Sequence, residues 1–281
     1  MSHTYYSQRA GTNPNLNGLP LDAVVGLFFR VYVQMRNEGY FDEQLGSHCV
    51  DLGEMAGVVK DVSLDIFLAI RKSDIWPIEE FAHQYSEDDL FDIIEYLFHH
   101  VSKPIDGTLH NYADCGMHWE TFNRAAGQAY YVLRINDVLQ HYVRKFEISD
   151  TGFVLLKAEQ GMDKLFAADV PSESSIVTSR VESAIVSYRR HGASLDDRRK
   201  AVRELADVLE LLRPKIKAIL TRADEADLFN VANNFGIRHQ NDLQKTDFDG
   251  AWLSWMFYFY LATVHVVLRR IGRSDGDNAP T

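Results

Sequence analysis

Arg238 and His239 stand side by side in a stretch rich in amide side chains: Asn230, Asn233, Asn234, Gln240 and Asn241, followed by Asp242. Histidine exchanges a proton near neutral pH, and the arginine fork holds anionic groups in fixed geometry. Gly236 suits the end of one helix, and Thr246, Asp247 and Asp249 are candidate caps for the next. The pair is therefore expected on a short connection between two helices, a plausible place for a site. Helix capping and the packing of a buried loop are equally served by Arg238, His239 and Asn234.

A second crowd of reactive side chains comprises His99, His100, His110, Cys115 and His118. The Cys115-to-His118 spacing is ligand-like. Zinc sites, however, usually join four such groups at tighter, paired spacings. Two of the histidines also close a helix, where positive charge is favourable in any case. No metal site and no cofactor is expected. Arg189, Arg190, Arg198, Arg199, Lys200 and Arg203 form basic clusters diluted by Asp196, Asp197 and Glu204, which reads as a solvated helix face. No Gly-rich phosphate loop, nucleophile elbow or paired metal-binding carboxylate motif is evident.

The elements that must position these groups are mostly helical. Apolar spacing predicts helices over 19–37, 63–71, 86–100 and 119–142, with a weaker one over 41–59. Ser86 before three acids, and Ser194 before Asp196 and Asp197, mark helix starts. Residues 104–115 read as a loop. The run 145–156 changes to an alternating period around Asp150-Thr151-Gly152, which predicts a β-hairpin. Beyond the small, proline-bearing stretch 168–175 the chain reads as helical throughout: 174–190, 194–220 with a kink or break at Pro214, 224–235 and 249–271.

Gly250 to Leu268 holds nineteen residues without Asp, Glu, Lys or Arg, at the lower edge of membrane-spanning length. Ser254, Thr263 and His265 interrupt it, and Trp252, Trp255, Tyr258 and Tyr260 run into its middle instead of confining themselves to its ends. A buried helix is the expectation, with no membrane contact. It carries more aromatic surface than a small bundle covers, which predicts a homodimer through the C-terminal half.

With 46% hydrophobic and 25% charged residues, the composition is that of a soluble globular protein. Two cysteines cannot build a disulfide framework and fit a reducing cytoplasm. The first twenty residues have no apolar core of a signal peptide. The net charge of −11 lies almost wholly in residues 1–170, whereas 171–281 is close to neutral. Contact with RNA or DNA therefore belongs to the C-terminal half. The expected layout is a flexible arm over 1–18, an N-terminal helical domain with a small β-hairpin over 19–170, a helical bundle over 171–272, and a disordered tail over 273–281.

The C-terminal half resembles a HEPN domain, the compact helical bundle of many prokaryotic toxins and abortive-infection proteins. The resemblance rests on residues 194–202, on Phe229 and Asn230, and on Ile237-Arg238-His239-Gln240-Asn241. The N-terminal half resembles the accessory domain of AbiJ-type abortive-infection proteins, through residues 122–128, Arg134-Ile135-Asn136 and 146–152. The resemblance implies an effector of antiviral defence that cleaves RNA without a metal ion, its sites paired across a dimer. Histidine would deprotonate a ribose 2′-hydroxyl, and arginine would stabilise charge on the phosphorus. Arg238, His239, Asn234 and Asn241 are the candidate catalytic residues. The sequence departs from the family in one respect. The positions four to six residues after the arginine, where a histidine belongs, hold Asp242, Leu243 and Gln244, and Asn241 and Lys245 flank them. Either His239 serves as the base, or the domain is a catalytically degenerate dimer that acts as a sensor or interaction subunit of a defence complex with a protein partner.

Overall fold

The computed structural model describes residues 4–158, 161–166, 168–172, 174–223, 225, 226, 228, 229 and 250–277. The described residues are mostly α-helical, with three separate two-stranded antiparallel sheets among them. The chain divides into two compact units, Met1–Leu156 and Lys157–Thr281. The composition change at 168–175 lies beyond that division, because Leu165, Phe166 and Val170 already pack on the C-terminal core.

The N-terminal unit contains helices α1 (Tyr6–Arg9), α2 (Leu21–Asn37), α3 (Asp42–Leu45), α4 (Val62–Ile70), α5 (Ile78–Phe81), α6 (Glu87–His100) and α7 (Arg124–Leu139). Its strands are β1 (Ser47–Cys49) with β2 (Gly53–Met55), β3 (Lys103–His110) with β4 (Gly116–Asn123), and β5 (Phe146–Ile148) with β6 (Val154–Leu156). Helix α6 starts as its sequence directs. Ser86 accepts from the Asp89 N–H, and the Asp89 carboxylate accepts from the Ser86 N–H, closing a capping box. From there α6 buries Leu90, Phe91, Ile93, Ile94, Tyr96, Leu97 and Phe98. Helix α2 packs Val24, Val25, Phe28, Val31, Tyr32 and Met35 into the same core.

The hairpin at 145–156 forms as expected, in register Phe146 to Leu156. Asn136 on α7 holds it. Its amide donates to the Ile148 carbonyl at 3.0 Å and accepts from the Ile148 N–H at 2.8 Å. Three other expectations fail. The weak helix over 41–59 is a single turn followed by the β1–β2 ribbon, broken where Gly46 (φ 90°) and Gly53 (φ 73°) leave helical space. The loop over 104–115 is mostly strand β3, and the helix foreseen from Trp119 begins only at Arg124. Asn123 caps it, accepting from the Ala126 N–H at 3.0 Å. Strands β3 and β4 were missed because their residues alternate without burying a face: neither strand has a buried side chain.

The start of β3 is pinned at the core's edge. Ser102 is fully buried, its N–H donates to the Tyr40 carbonyl at 2.8 Å, and its hydroxyl donates to Glu43 on α3. Gly127 of α7 lies against this segment, and a Cβ there would stand 2.5 Å from the Lys103 nitrogen and 2.6 Å from the Ser102 Cα.

In the C-terminal unit, α8 (Asp163–Phe166), α9 (Ser175–Arg189), α10 (Leu195–Ile219) and α11 (Gly250–Asp277) share one core. A five-residue connection folds α10 back on α9, and Ser194 with Asp197 closes a capping box at the expected helix start. Pro214 neither breaks nor ends α10, which runs on to Ile219. Helix α11 continues to Asp277, past the expected end at Ile271. It is long and apolar enough to cross a membrane, but it turns Leu253, Met256, Phe257, Tyr260, Leu261, Val264 and Leu268 into the core of its own unit. Tyr188 of α9 stacks on Phe257 at 3.9 Å and donates its hydroxyl to Ser254 at 2.7 Å. The helix expected over 224–235 falls largely outside the described residues.

Gly127→Ala should lower the stability of the full chain by about 1–3 kcal/mol, because backbone on both sides must give way. Urea unfolding checks this, and an unchanged midpoint would show that α7 does not bear on the Ser102–Lys103 backbone.

Candidate functional site

Arg238, His239, Asn234 and Asn241 lie outside the described residues, as does the whole stretch 230–249. Its described flanks belong to the C-terminal core. Phe229 is buried beneath the Arg213 guanidinium, 4.4 Å from the ring centre, and Arg213 is paired with Glu225 and Glu210. Basic residues on and beside α9 and α10 meet acids: Lys200 pairs with Asp196 at 2.8 Å within α10, whereas Arg180 of α9 reaches Glu204 of α10 at 3.5 Å and Arg190, just past α9, reaches Asp197 of α10 at 3.5 Å. Arg190, Arg199, Lys200 and Arg203 are exposed, as the expected solvated face requires, but Arg189 departs from it and is buried against Phe166.

His265 is the first histidine after His239. It sits on α11 at 4% exposure, and neither ring nitrogen has a hydrogen-bond partner among the described residues. Burial first, and then the charge of Arg269, hold the ring below the ordinary histidine range. A ring so enclosed is out of a substrate's reach.

The side chains that the structure does bring together belong to the N-terminal unit. His110 closes β3, Cys115 precedes β4, His118 lies on β4, and Cys49 closes β1. One ligand atom from each lies within 4.8 Å of all the others. The Cys49 Sγ is 3.7 Å from His110 Nδ1, and the Cys115 Sγ is 3.3 Å from His118 Nε2. The far nitrogen of His110, Nε2, is 3.2 Å from Asp51 Oδ2. Cys49 is 1% exposed, and the other three are half-buried. The β3–β4 register makes the cluster possible by setting His110 opposite Gly116 and Thr108 opposite His118. Two sulfurs and two imidazole nitrogens at this spacing can hold a metal ion.

Of the five residues that crowd together in sequence, the cluster takes three. His99 and His100 stay apart at the end of α6. His100 stacks on Tyr96 at 4.0 Å, and its Nδ1 is 2.7 Å from the Tyr96 carbonyl. Burial, then the neighbouring charges of His100 and Arg124, lower the His99 pKa. The fourth ligand-type residue, Cys49, is 61 positions from His110 and was out of reach of any spacing rule. Asp51 gave no signal at all.

Comparison with protein-family models, curated proteins and solved structures finds no significant match to this chain.

The buried ring of His265 fixes a pH response. In the unfolded chain it takes a proton near pH 6.5, whereas in the folded chain it resists doing so. Its folded pKa is depressed, so its share of stability is complete above the unfolded value and is lost as pH falls below it. Wild type should therefore lose more melting temperature between pH 7.5 and 5.5 than His265→Leu. Equal losses in the two proteins would contradict the buried, neutral ring.

Proposed function

We propose that the chain is a HEPN-like effector of antiviral, abortive-infection defence that works in the cytoplasm as a homodimer through its C-terminal half. In this reading its activity is metal-independent endoribonuclease cleavage. His239 takes the proton of a ribose 2′-hydroxyl, whose oxygen then attacks the adjacent phosphorus. Arg238 stabilises the charge that builds on the phosphoryl oxygens. The 5′-oxygen leaves and takes up a proton from water, which gives a 2′,3′-cyclic phosphate and a 5′-hydroxyl. Asn234 and Asn241 supply amides to orient the backbone of the RNA.

The observation that carries the reading is the polar run 229–242, which in sequence falls between α10 and α11 of a helical unit separate from the N-terminal one. Trp252 and Trp255 on α11 are nearly half exposed, which supports the dimer. A second reading has one specific observation in its favour. Because His265 is sealed in the core, no described histidine completes the family's pair. The chain would then be a non-catalytic HEPN-like dimer that binds a protein partner in a defence complex.

RNA incubated in magnesium-free buffer should be cleaved by wild type and lost to Arg238→Ala and His239→Ala by a factor on the order of 100 or more. Both variants should melt within about 0.5 kcal/mol of wild type. Equal cleavage by all three proteins would remove Arg238 and His239 from the chemistry. No cleavage by any of them, with the fold intact, would favour the interaction subunit. Sedimentation at micromolar concentration should show a dimer, and a stable monomer would contradict this arrangement.

A further inference from the structure

We propose that Cys49, His110, Cys115 and His118 form a closed, structural zinc site that fastens the β3–β4 ribbon to the β1–β2 ribbon, with Asp51 as the positioning residue behind His110. The donor set selects the ion. Thiolate sulfur with neutral imidazole suits zinc and disfavours magnesium or calcium, which require oxygen ligands. Tetrahedral zinc, with bonds of about 2.3 Å to sulfur and about 2.0–2.1 Å to nitrogen, places sulfur and nitrogen about 3.5–3.6 Å apart. The two Cys–His separations here, 3.7 and 3.3 Å, bracket that value. Asp51 Oδ2, 3.2 Å from His110 Nε2, fixes the ring so that Nδ1 faces the ligand centre, the carboxylate–histidine–metal arrangement that orients zinc ligands.

The line Cys49–His110–Asp51 also has the order of a thiol nucleophile, its base and an orienting acid. Two observations count against that role. Cys49 is 1% exposed and out of a substrate's reach, and a second Cys–His pair fills the space before it.

The need for a staple is visible in the packing. Among the described residues, nothing from 46–61 and nothing from 102–129 belongs to the hydrophobic core of the unit, yet those two segments supply all four ligands. A two-stranded ribbon without a buried face is marginal on its own. The turn that brings Cys115 round also holds two successive non-glycine residues in left-handed space, Ala113 at φ 48° and Asp114 at φ 56°. With four protein ligands the coordination sphere is full. The site is therefore structural, without an open position for substrate.

The test uses the full chain. Purified protein should carry one zinc per chain, and stripped protein should take up one equivalent of zinc or cobalt. The cobalt form should show the absorption of tetrahedral thiolate coordination. Zinc should protect both cysteines from alkylation, and a chelator should expose both. Cys115→Ser should lose the stoichiometric metal. Asp51→Asn should keep the metal and the tetrahedral spectrum but bind about 10–100-fold more weakly. Should the cysteine variant fail to fold, hydrogen exchange on wild type remains: protection of 103–123 should fall when zinc is removed, while α6 stays protected. Octahedral cobalt, unaltered alkylation in the presence of zinc, or ribbon protection indifferent to zinc would each overturn the proposal.

Discussion

Helix α6 is buried along nearly its whole length, and the N-terminal unit is built outward from it. Seven of its side chains, from Leu90 to Phe98, lie within the core, where α2 and α7 enclose them. Polar clamps then hang the periphery on this helix. Tyr131 donates its hydroxyl to the Ile94 carbonyl at 3.0 Å, and Glu95 accepts from the Val154 N–H at 2.7 Å, which docks β6. That same geometry sets a limit. A core centred on one helix has a short reach, and the ribbons β1–β2 and β3–β4 lie beyond it. Their tips meet through sulfur and imidazole, not through apolar contact. Backbone hydrogen bonds anchor their bases, as from Ser102 to Tyr40 and from Val58 to Glu43, and the proposed coordination would hold their tips at a fixed distance.

The C-terminal unit solves the opposite problem. Among the described residues α11 supplies much of its apolar surface. One face of that helix forms the core with α9 and α10, whereas Trp252, Trp255 and Val266 stay exposed. The polar groups inside are handled unequally. Arg189 is buried but lies over the Phe166 ring at 4.5 Å, and Tyr188 is satisfied by Ser254. Among the described residues His265 has no such partner, and burial disfavours its charged form.

Helices with strong apolar periodicity and a capping signal were legible in the sequence. Ser86 and Ser194 start α6 and α10 as their spacing to Asp89 and Asp197 requires. The β5–β6 hairpin was legible because its strands bury Phe146, Ile148 and Val154 around a glycine turn. Ribbons β1–β2 and β3–β4 were not. Hydrophobic patterning reports burial, and strands without a buried face give it nothing to report. The ligand cluster was half legible. His110, Cys115 and His118 are close in sequence, but Cys49 and Asp51 join them only through a pairing of ribbons that no local signal announces. The Arg238–His239 stretch was read from residue types and family resemblance. Its geometry lies outside the described residues, so it rests on those grounds still.

Zinc coordination is the claim from which the arrangement of the N-terminal ribbons follows, and X-ray absorption at the zinc edge of the purified full chain measures it most directly. The account predicts a first shell of two sulfurs at about 2.3 Å and two imidazole nitrogens at about 2.0–2.1 Å, with no bound water. A shell of six oxygen or nitrogen atoms without sulfur would contradict it.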